Sequence, residues 1–441
     1  MSAKPDLASG LAAAAAAGAP LRPGPEWLQP LRAAALRRFQ QAGIPSPRLE
    51  DWRYTDLREY AERSLRLSSP GQPETPSPSP APATGGQPVP AAMGMVAVFD
   101  AGTLLPAVSR LTPPDGVTLH RLDGAQGRSA WEASLEGDGR ESDNALASLN
   151  AAMLTDGLAI EVAAGKTAAG PLFIIHGSGP ERMAHNRLVL RLRPGSSCTL
   201  IEQQTGTGAS AANSVTDIIC ERDSRLTYIR LQDGADAAFH VAMQRISLQA
   251  GAEASLFGID LGGQLTRNDL RVSLDGPGAS TDIHGLFFAD GRRHVDNQTR
   301  VDHRAVRTRC SEHFRGIADG AGRGIFNGKI LVHRGADKAD AVLRNENLLL
   351  SRQAEIDTKP ELEIYADDVK CAHGATTGRL DPASIFYLRS RGIGAEDARR
   401  MLIAAFAREI IRQLPVDSLV DHVAGLLASR LPDLADVGTA P

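Results

Sequence analysis

The sequence predicts a mainly β protein, a β-solenoid core flanked by α-helical regions at both ends. A block reading apolar-x-apolar-x-x-turn-small-x-x-x-apolar recurs as LRLRPGSSCTL from Leu190, IICERDSRLTY from Ile218 and ISLQAGAEASL from Ile246, two spacings of 28 residues. No helical pattern intervenes between these copies, whereas helical spacing is plain before residue 68 and after Gly378. The aromatic fraction is 4%, which suits a narrow interior filled by Val, Ile, Leu and Ala.

A repeat of this length built from strands and turns marks stacked units that share one core, because no unit can bury its apolar face alone. A two-sheet sandwich also has short strands, but nothing in it holds turn residues in register over several units. A further copy, VSLDGPGASTDI from Val272, carries one inserted residue, and a looser one, IEVAAGK, begins at Ile160.

The elements follow in order. LAAAAAAGAP reads as a flexible or weakly helical extension, not a signal peptide, since alanine is only weakly apolar and Lys4 is followed by Asp6. Residues 1–67 form an N-terminal helical region, in which Leu28, Leu31, Ala35, Leu36 and Phe39 recur at helical spacing until Gly43-Ile44-Pro45 stops them. Residues 68–92, rich in proline and small polar residues, form a linker. The solenoid occupies 93–378. A C-terminal helical domain, 379–441, opens at Asp381-Pro382 with an Asp N-cap and a proline at the first helical position. In its longer helix, from about Ala395 to Leu414, the spacing sets Leu402, Ala405, Phe406, Glu409 and Ile410 near one side. A last helix runs from Asp417 to Leu431.

Composition narrows the function. With 48 basic and 52 acidic residues there is no electrostatic case for a nucleic-acid partner, and no apolar run is long enough to span a bilayer. Four cysteines, Cys198, Cys220, Cys310 and Cys371, are too few for a disulfide framework and fit a reducing, cytoplasmic setting.

The stretch ADDVKCAHGATTG, Ala366 to Gly378, sets a thiol and an imidazole two residues apart. On an extended backbone Cys371 and His373 point the same way, and this donor pair suits iron, zinc or copper(I). Closed metal sites take about four donors, so the others lie elsewhere in the chain or on a second protein. Lys370 is placed to favour the Cys371 thiolate. Asp367 and Asp368 read as solvated turn residues.

His294, Asp296, His303 and His313 could by spacing make a mononuclear site with Cys310, but a structural or interface role is the better reading. Gly320, Gly322 and Gly324 make no phosphate loop, since no Lys-Ser/Thr follows, so no ATP site is expected on this chain.

The segments RLEDWRYTDLR, GRGIFNGKIL, LRNENLLLS, ELEIYADDVKCAHGATTG and IFYLRSRGI resemble the SufB/SufD family of the SUF iron–sulfur cluster assembly system, over most of the chain after Arg48. Within it the chain is more similar to the SufD branch, lacking a larger cysteine-bearing insertion; the sister SufB branch is the alternative.

The resemblance implies a right-handed parallel β-helix between helical ends. It also implies a heterodimer with SufB through the β-helices and docking of the SufC ATPase on the C-terminal helical region, for which Ser384 to Phe406 is the expected stretch. ATP-driven movement of the docked ATPases would then open the SufB–SufD interface. His373 falls where a family histidine is implicated as a ligand for iron or a transient cluster shared with the partner subunit, with Cys371 as the neighbouring family cysteine. The chain is then a non-enzymatic scaffold, able to form a homodimer when isolated. A carbohydrate-active β-helix enzyme is the rival of another class, disfavoured by three Trp and five Tyr.

Overall fold

Two parallel sheets face each other across a shared apolar interior, and the sequence repeat is what aligns them. The computed structural model describes residues 7–18, 24–68, 94–122, 128–136 and 145–430. The leading positions of the repeat form one column: Ile160, Leu190, Ile218, Ile246 and Val272 are successive register partners, and the column continues through Val301, Ile330 and Leu362. All but Leu362 are buried in the interior cluster, and Leu362 packs against it. Each circuit of the chain adds one strand to each sheet, giving a parallel β-solenoid of about eight turns.

Sheet A has ten strands and ends with Lys370–Gly378; sheet B has nine and ends with Glu355–Ile364.

The corners explain where the repeat is visible. One residue per corner takes a left-handed conformation: Gly165, Gly195, Asp223, Gly251, Gly278, Arg307 and Lys338, with φ from 57° to 73°. The Gly195 N–H donates to Arg222 O at 2.9 Å and Gly251 N–H to Pro277 O at 3.0 Å, so successive corners stack. Glycine takes this conformation freely, whereas a side chain there costs about 1 kcal/mol. Past Val272 the spacing grows from 28 to 29 and then 32 residues, and Arg307 and Lys338 stand at corners that glycine holds in most earlier rungs, so the repeat fades from the sequence while the rungs continue.

Helices cover the outer faces. On sheet B, Leu28, Ala35 and Trp131 pack with Ala159 and Val189. Further along, Trp52, Leu57 and Tyr60 pack with Phe239, Val241 and Leu265. The alanine-rich segment, expected to be flexible or weakly helical, is a packed helix, Leu7–Gly18, whose Leu11, Ala12 and Ala15 lie against Phe39, Ala61 and Leu149. Its small side chains permit that close approach. The linker beyond Ser68 lies outside the described residues.

Two helices within 93–378, Arg128–Glu136 and Ala145–Met153, escaped the sequence reading. Ala145–Met153 is buried almost all round, so it shows no amphipathic stripe.

On sheet A, helices Ala395–Ile411 and Asp417–Arg430 pack over Phe257, Ile259, Phe288 and Ile317. The buried seam of the first helix is Ala398, Ile403, Ala407, Ile410 and Ile411. Of the four apolar residues expected there, Leu402, Ala405, Phe406 and Ile410, only Ile410 is buried, while Ala405 is exposed. The helix carries apolar residues on two stripes, and Arg315 fixes the choice. Its guanidinium donates to Phe406 O at 2.8 Å, lies 4.6 Å from the centre of the Phe406 ring and pairs with Glu409.

The two ends of the solenoid differ. At the start, antiparallel pairing of Val117–Arg121 with Leu158–Val162, and of Met95–Asp100 with Thr103–Leu104, closes both sheets. At the finish, nothing among the described residues pairs with the far edge of Glu355–Ile364 or Lys370–Gly378.

Candidate functional site

The bare end rung carries the thiol and imidazole singled out from the sequence. Strand Lys370–Gly378 pairs in parallel with Asp340–Leu349, setting Cys371 beside Ala341 and His373 beside Leu343. Ala341 and Leu343 are fully buried in the interior cluster, so Cys371 and His373 continue the inward column, as alternation requires. No rung lies above them. Cys371 is half-buried against the interior, while His373 is exposed and has no side-chain hydrogen bond among the described residues.

The electrostatics of Cys371 differ from expectation. Burial, then the neighbouring Asp340 carboxylate, push its thiol above the ordinary range. Lys370 does not reverse this, because alternation turns its side chain away and it is exposed. The pair is also incomplete: no group of three His, Cys, Asp or Glu able to hold a metal occurs among the described residues. Asp367 and Asp368 are exposed at the turn before the strand.

The other candidate cluster does not converge. His294 and Asp296 face outward on sheet B and hold Thr55, whose hydroxyl is 2.8 Å from His294 Nε2 and donates to Asp296. Arg267 joins them, pairing with Asp296, stacking 4.2 Å from the Trp52 ring and donating to Asp51 O at 2.8 Å. The motif EDWRYTD is thus a strap across sheet B. His303 is interior, bonded through Nδ1 to Thr308 Oγ1 at 2.8 Å, its pKa lowered by burial to about 4. His313 faces outward on sheet A, 3.1 Å from Glu346, and Cys310 is interior, with burial raising its thiol far above the ordinary range.

Gly320 and Gly322 are corner residues, and a Cβ on Gly322 would lie 2.1 Å from Ala289 O. Their glycines serve close packing. No helix opens there; strand Arg323–Val332 does.

Beyond the end rung, Asp381 caps helix Pro382–Ser390 by accepting from the N–H groups of Ala383 and Ser384, both at 3.0 Å. None of its residues is buried, and Phe386 and Tyr387 are 73% and 58% exposed. Beside them lies a groove of about 440 Å³ walled by Leu349, Leu380, Ile385, Phe386, Arg389 and Arg399. Aromatic side chains at such exposure, with arginines nearby, have the make-up of an interface core.

The family model for the SUF system FeS cluster assembly SufBD core domain matches residues 173–406. Over 414 residues the chain is 33% identical to the iron-sulfur cluster assembly protein SufD of Escherichia coli, covering 90% of this chain and 92% of that protein. The chain belongs to the SufBD family. A SufBD family protein of Synechocystis, slr0076, is 28% identical over 88% of this chain and 87% of its own length. The chloroplastic protein ABCI7 of Arabidopsis thaliana is 28% identical over 71% and 70%. The SufBD core match begins at Phe173, on the solenoid's third strand of sheet A, and reaches into helix Ala395–Ile411, so it includes the end rung.

Sequence reasoning missed the ionisable groups of the SufBD core interior. Glu202 accepts from Tyr228 at 2.7 Å and Thr216 at 2.8 Å and lies 2.9 Å from His176. Burial opposes its ionisation, but these partners outweigh it and hold the carboxyl below its usual range. Glu312 has only Thr299 among the described residues, and burial pushes its pKa up to about 7. The signal was present: Glu202 and Glu312 share the parity of the inward Leu200 and Cys310.

Proposed function

We propose that this protein is a non-enzymatic scaffold subunit of SUF iron–sulfur cluster assembly, of the SufD branch. The bare end rung carries the reading: two unpaired strand edges at the mouth of the interior, with Cys371 and His373 as the last inward residues of their columns. An unpaired strand edge exposes a row of N–H and C=O groups that a partner strand satisfies. A SufB-type β-helix set against this edge completes the rung and supplies the missing donors. Without it the same edge accepts a second copy of this chain.

Iron or a nascent cluster is the cargo. A neutral imidazole donates its lone pair without losing a proton, while the Cys371 thiol must be deprotonated by the arriving metal. His373 is therefore the leading anchor and Cys371 the second.

Helix Pro382–Ser390 and its groove form the docking surface for a SufC-type ATPase, with Phe386 and Tyr387 as anchors. ATP-driven movement of that ATPase then acts next to the end rung and opens it to cargo. The 33% identity with the E. coli SufD protein supports the SufD branch. No helix among the described residues is long and apolar enough to cross a membrane, in keeping with a cytoplasmic assembly.

Co-expression with candidate SufB- and SufC-type partners and purification through this chain tests the reading by stoichiometry, iron and sulfide. A complex containing both partners is expected. Recovery of this chain without either would sink the scaffold assignment, and unchanged iron in His373→Ala would remove the ligand assignment.

A further inference from the structure

A scaffold that needs only rigidity would fill its interior with aliphatic side chains, because buried ionisable groups weaken a core. Part of this interior is polar instead. Asn268 and Asn297 are register partners on sheet B, 3% and 2% exposed, joined by one hydrogen bond of 3.0 Å from Asn268 Nδ2 to Asn297 Oδ1. That bond leaves Asn268 Oδ1 and Asn297 Nδ2 buried without a partner among the described residues. Turning both amides over exchanges the two roles and leaves the same demand.

Both residues line a cavity of about 30 Å³, together with Tyr228, Arg230, Gln244 and Thr299. The Arg230 guanidinium spans both carboxylate oxygens of Asp260, at 2.7 and 2.9 Å. Thr299 donates to one oxygen of Glu312 at 2.6 Å, and the other has no partner among the described residues. Phe314 also lines the cavity, and its ring lies 4.7 Å from that of Phe326, on the side toward the end rung.

We propose that this cavity is a built water site, in which about two water molecules bridge the free amide oxygen of Asn268 and the free amide N–H of Asn297. The chemistry selects water. Its occupant must donate to one amide and accept from the other in a space too small for an organic molecule. An anion would leave Asn268 Oδ1 unsatisfied, and a cation would leave Asn297 Nδ2 so. Arg230 and Thr299 line the same cavity, so the Arg230–Asp260 pair and the Thr299–Glu312 bond both reach its wall.

High-resolution diffraction from crystals of the full chain, with and without xenon pressure, tests the site. Two ordered waters within hydrogen-bond distance of Asn268 and Asn297 are expected, and no xenon, since xenon enters dry apolar cavities. An empty cavity, or xenon bound in the native protein, overturns the proposal. Asn297→Val gives a second reading: valine has one side-chain heavy atom fewer than asparagine and no N–H to offer. Loss of at least one water is expected, and water positions unchanged from the native protein overturn the bridging role of Asn297.

Discussion

Strands Arg309–Ala318 and Lys370–Gly378 stand two places apart in the same sheet, yet they live in different environments. Cys310 and Cys371 share one inward column through Ala341, and Glu312 and His373 share the next through Leu343. Cys310 and Glu312 are 1% exposed, whereas Cys371 is half-buried and His373 exposed. Side-chain direction is the same in both strands. What differs is that a rung stacks above one and none above the other. Exposure at the end of a solenoid is thus a property of position in the stack, and a thiol and an imidazole become available by being last.

The largest effect that would break the comparison lies on its buried side. Phe326 is fully buried beside Phe314. Phe326→Ala is expected to cost about 3–5 kcal/mol in denaturant unfolding, as large aromatic truncations in cores do. Phe386→Ala, in the exposed helix, should leave unfolding within about 0.5 kcal/mol of native and instead weaken recovery of the ATPase partner. Equal destabilisation by both would erase the distinction.

Glu312 comes next. Its folded pKa, about 7, is raised from an ordinary value of 4.5, so the folded state binds the extra proton and stability falls as pH rises from about 4.5 through 7. Glu312→Gln removes that fall. The variant should match the native protein near pH 4 and gain about 3 kcal/mol over it at pH 8. Thermal unfolding at the two pH values checks this, and a gain at pH 4 instead would reverse the assignment.

Thiol accessibility sharpens the contrast at smaller scale. Cys198, Cys220 and Cys310 are buried and Cys371 is only half so. Burial raises Cys198 and Cys220 to about 12. In the native chain one thiol of the four should react with an aromatic disulfide, faster as pH rises because the Cys371 thiol is itself held up. Cys371→Ser should abolish the reaction, and a partner on the end rung should slow it.

The smallest effect concerns the strap. Lys359, on the end rung, reaches Glu50 at 2.7 Å across an exposed pair. Lys359→Ala should leave denaturant unfolding almost unchanged, with any small loss fading with salt.

Much of this was legible in the chain. Leu190, Ile218 and Ile246 gave the period, and they are register partners in sheet B. Asp381-Pro382 gave the start of a helix whose Asp381 side chain caps it. The later rungs were harder to see because the 28-residue spacing lengthens to 29 residues at Val301 and Ile330 and to 32 at Leu362, while Arg307 and Lys338 hold corners where most earlier rungs have glycine. Helix Ala145–Met153 was invisible because burial on nearly all sides leaves no polar stripe to set a period.

The sequence by itself determined the solenoid, its helical ends and the shared direction of Cys371 and His373, because alternation and turn chemistry are local rules that each segment states alone. Only the tertiary structure decided that Lys370 fails to favour the thiolate, that His294 and Asp296 serve a strap, and that Ile403 and Ala407 supply the buried seam of their helix. Those outcomes depend on what stacks against a residue, and stacking partners 30 or more residues away leave no mark on local spacing. The end rung shows both influences, since its residues were readable in order while their exposure came from the missing neighbour.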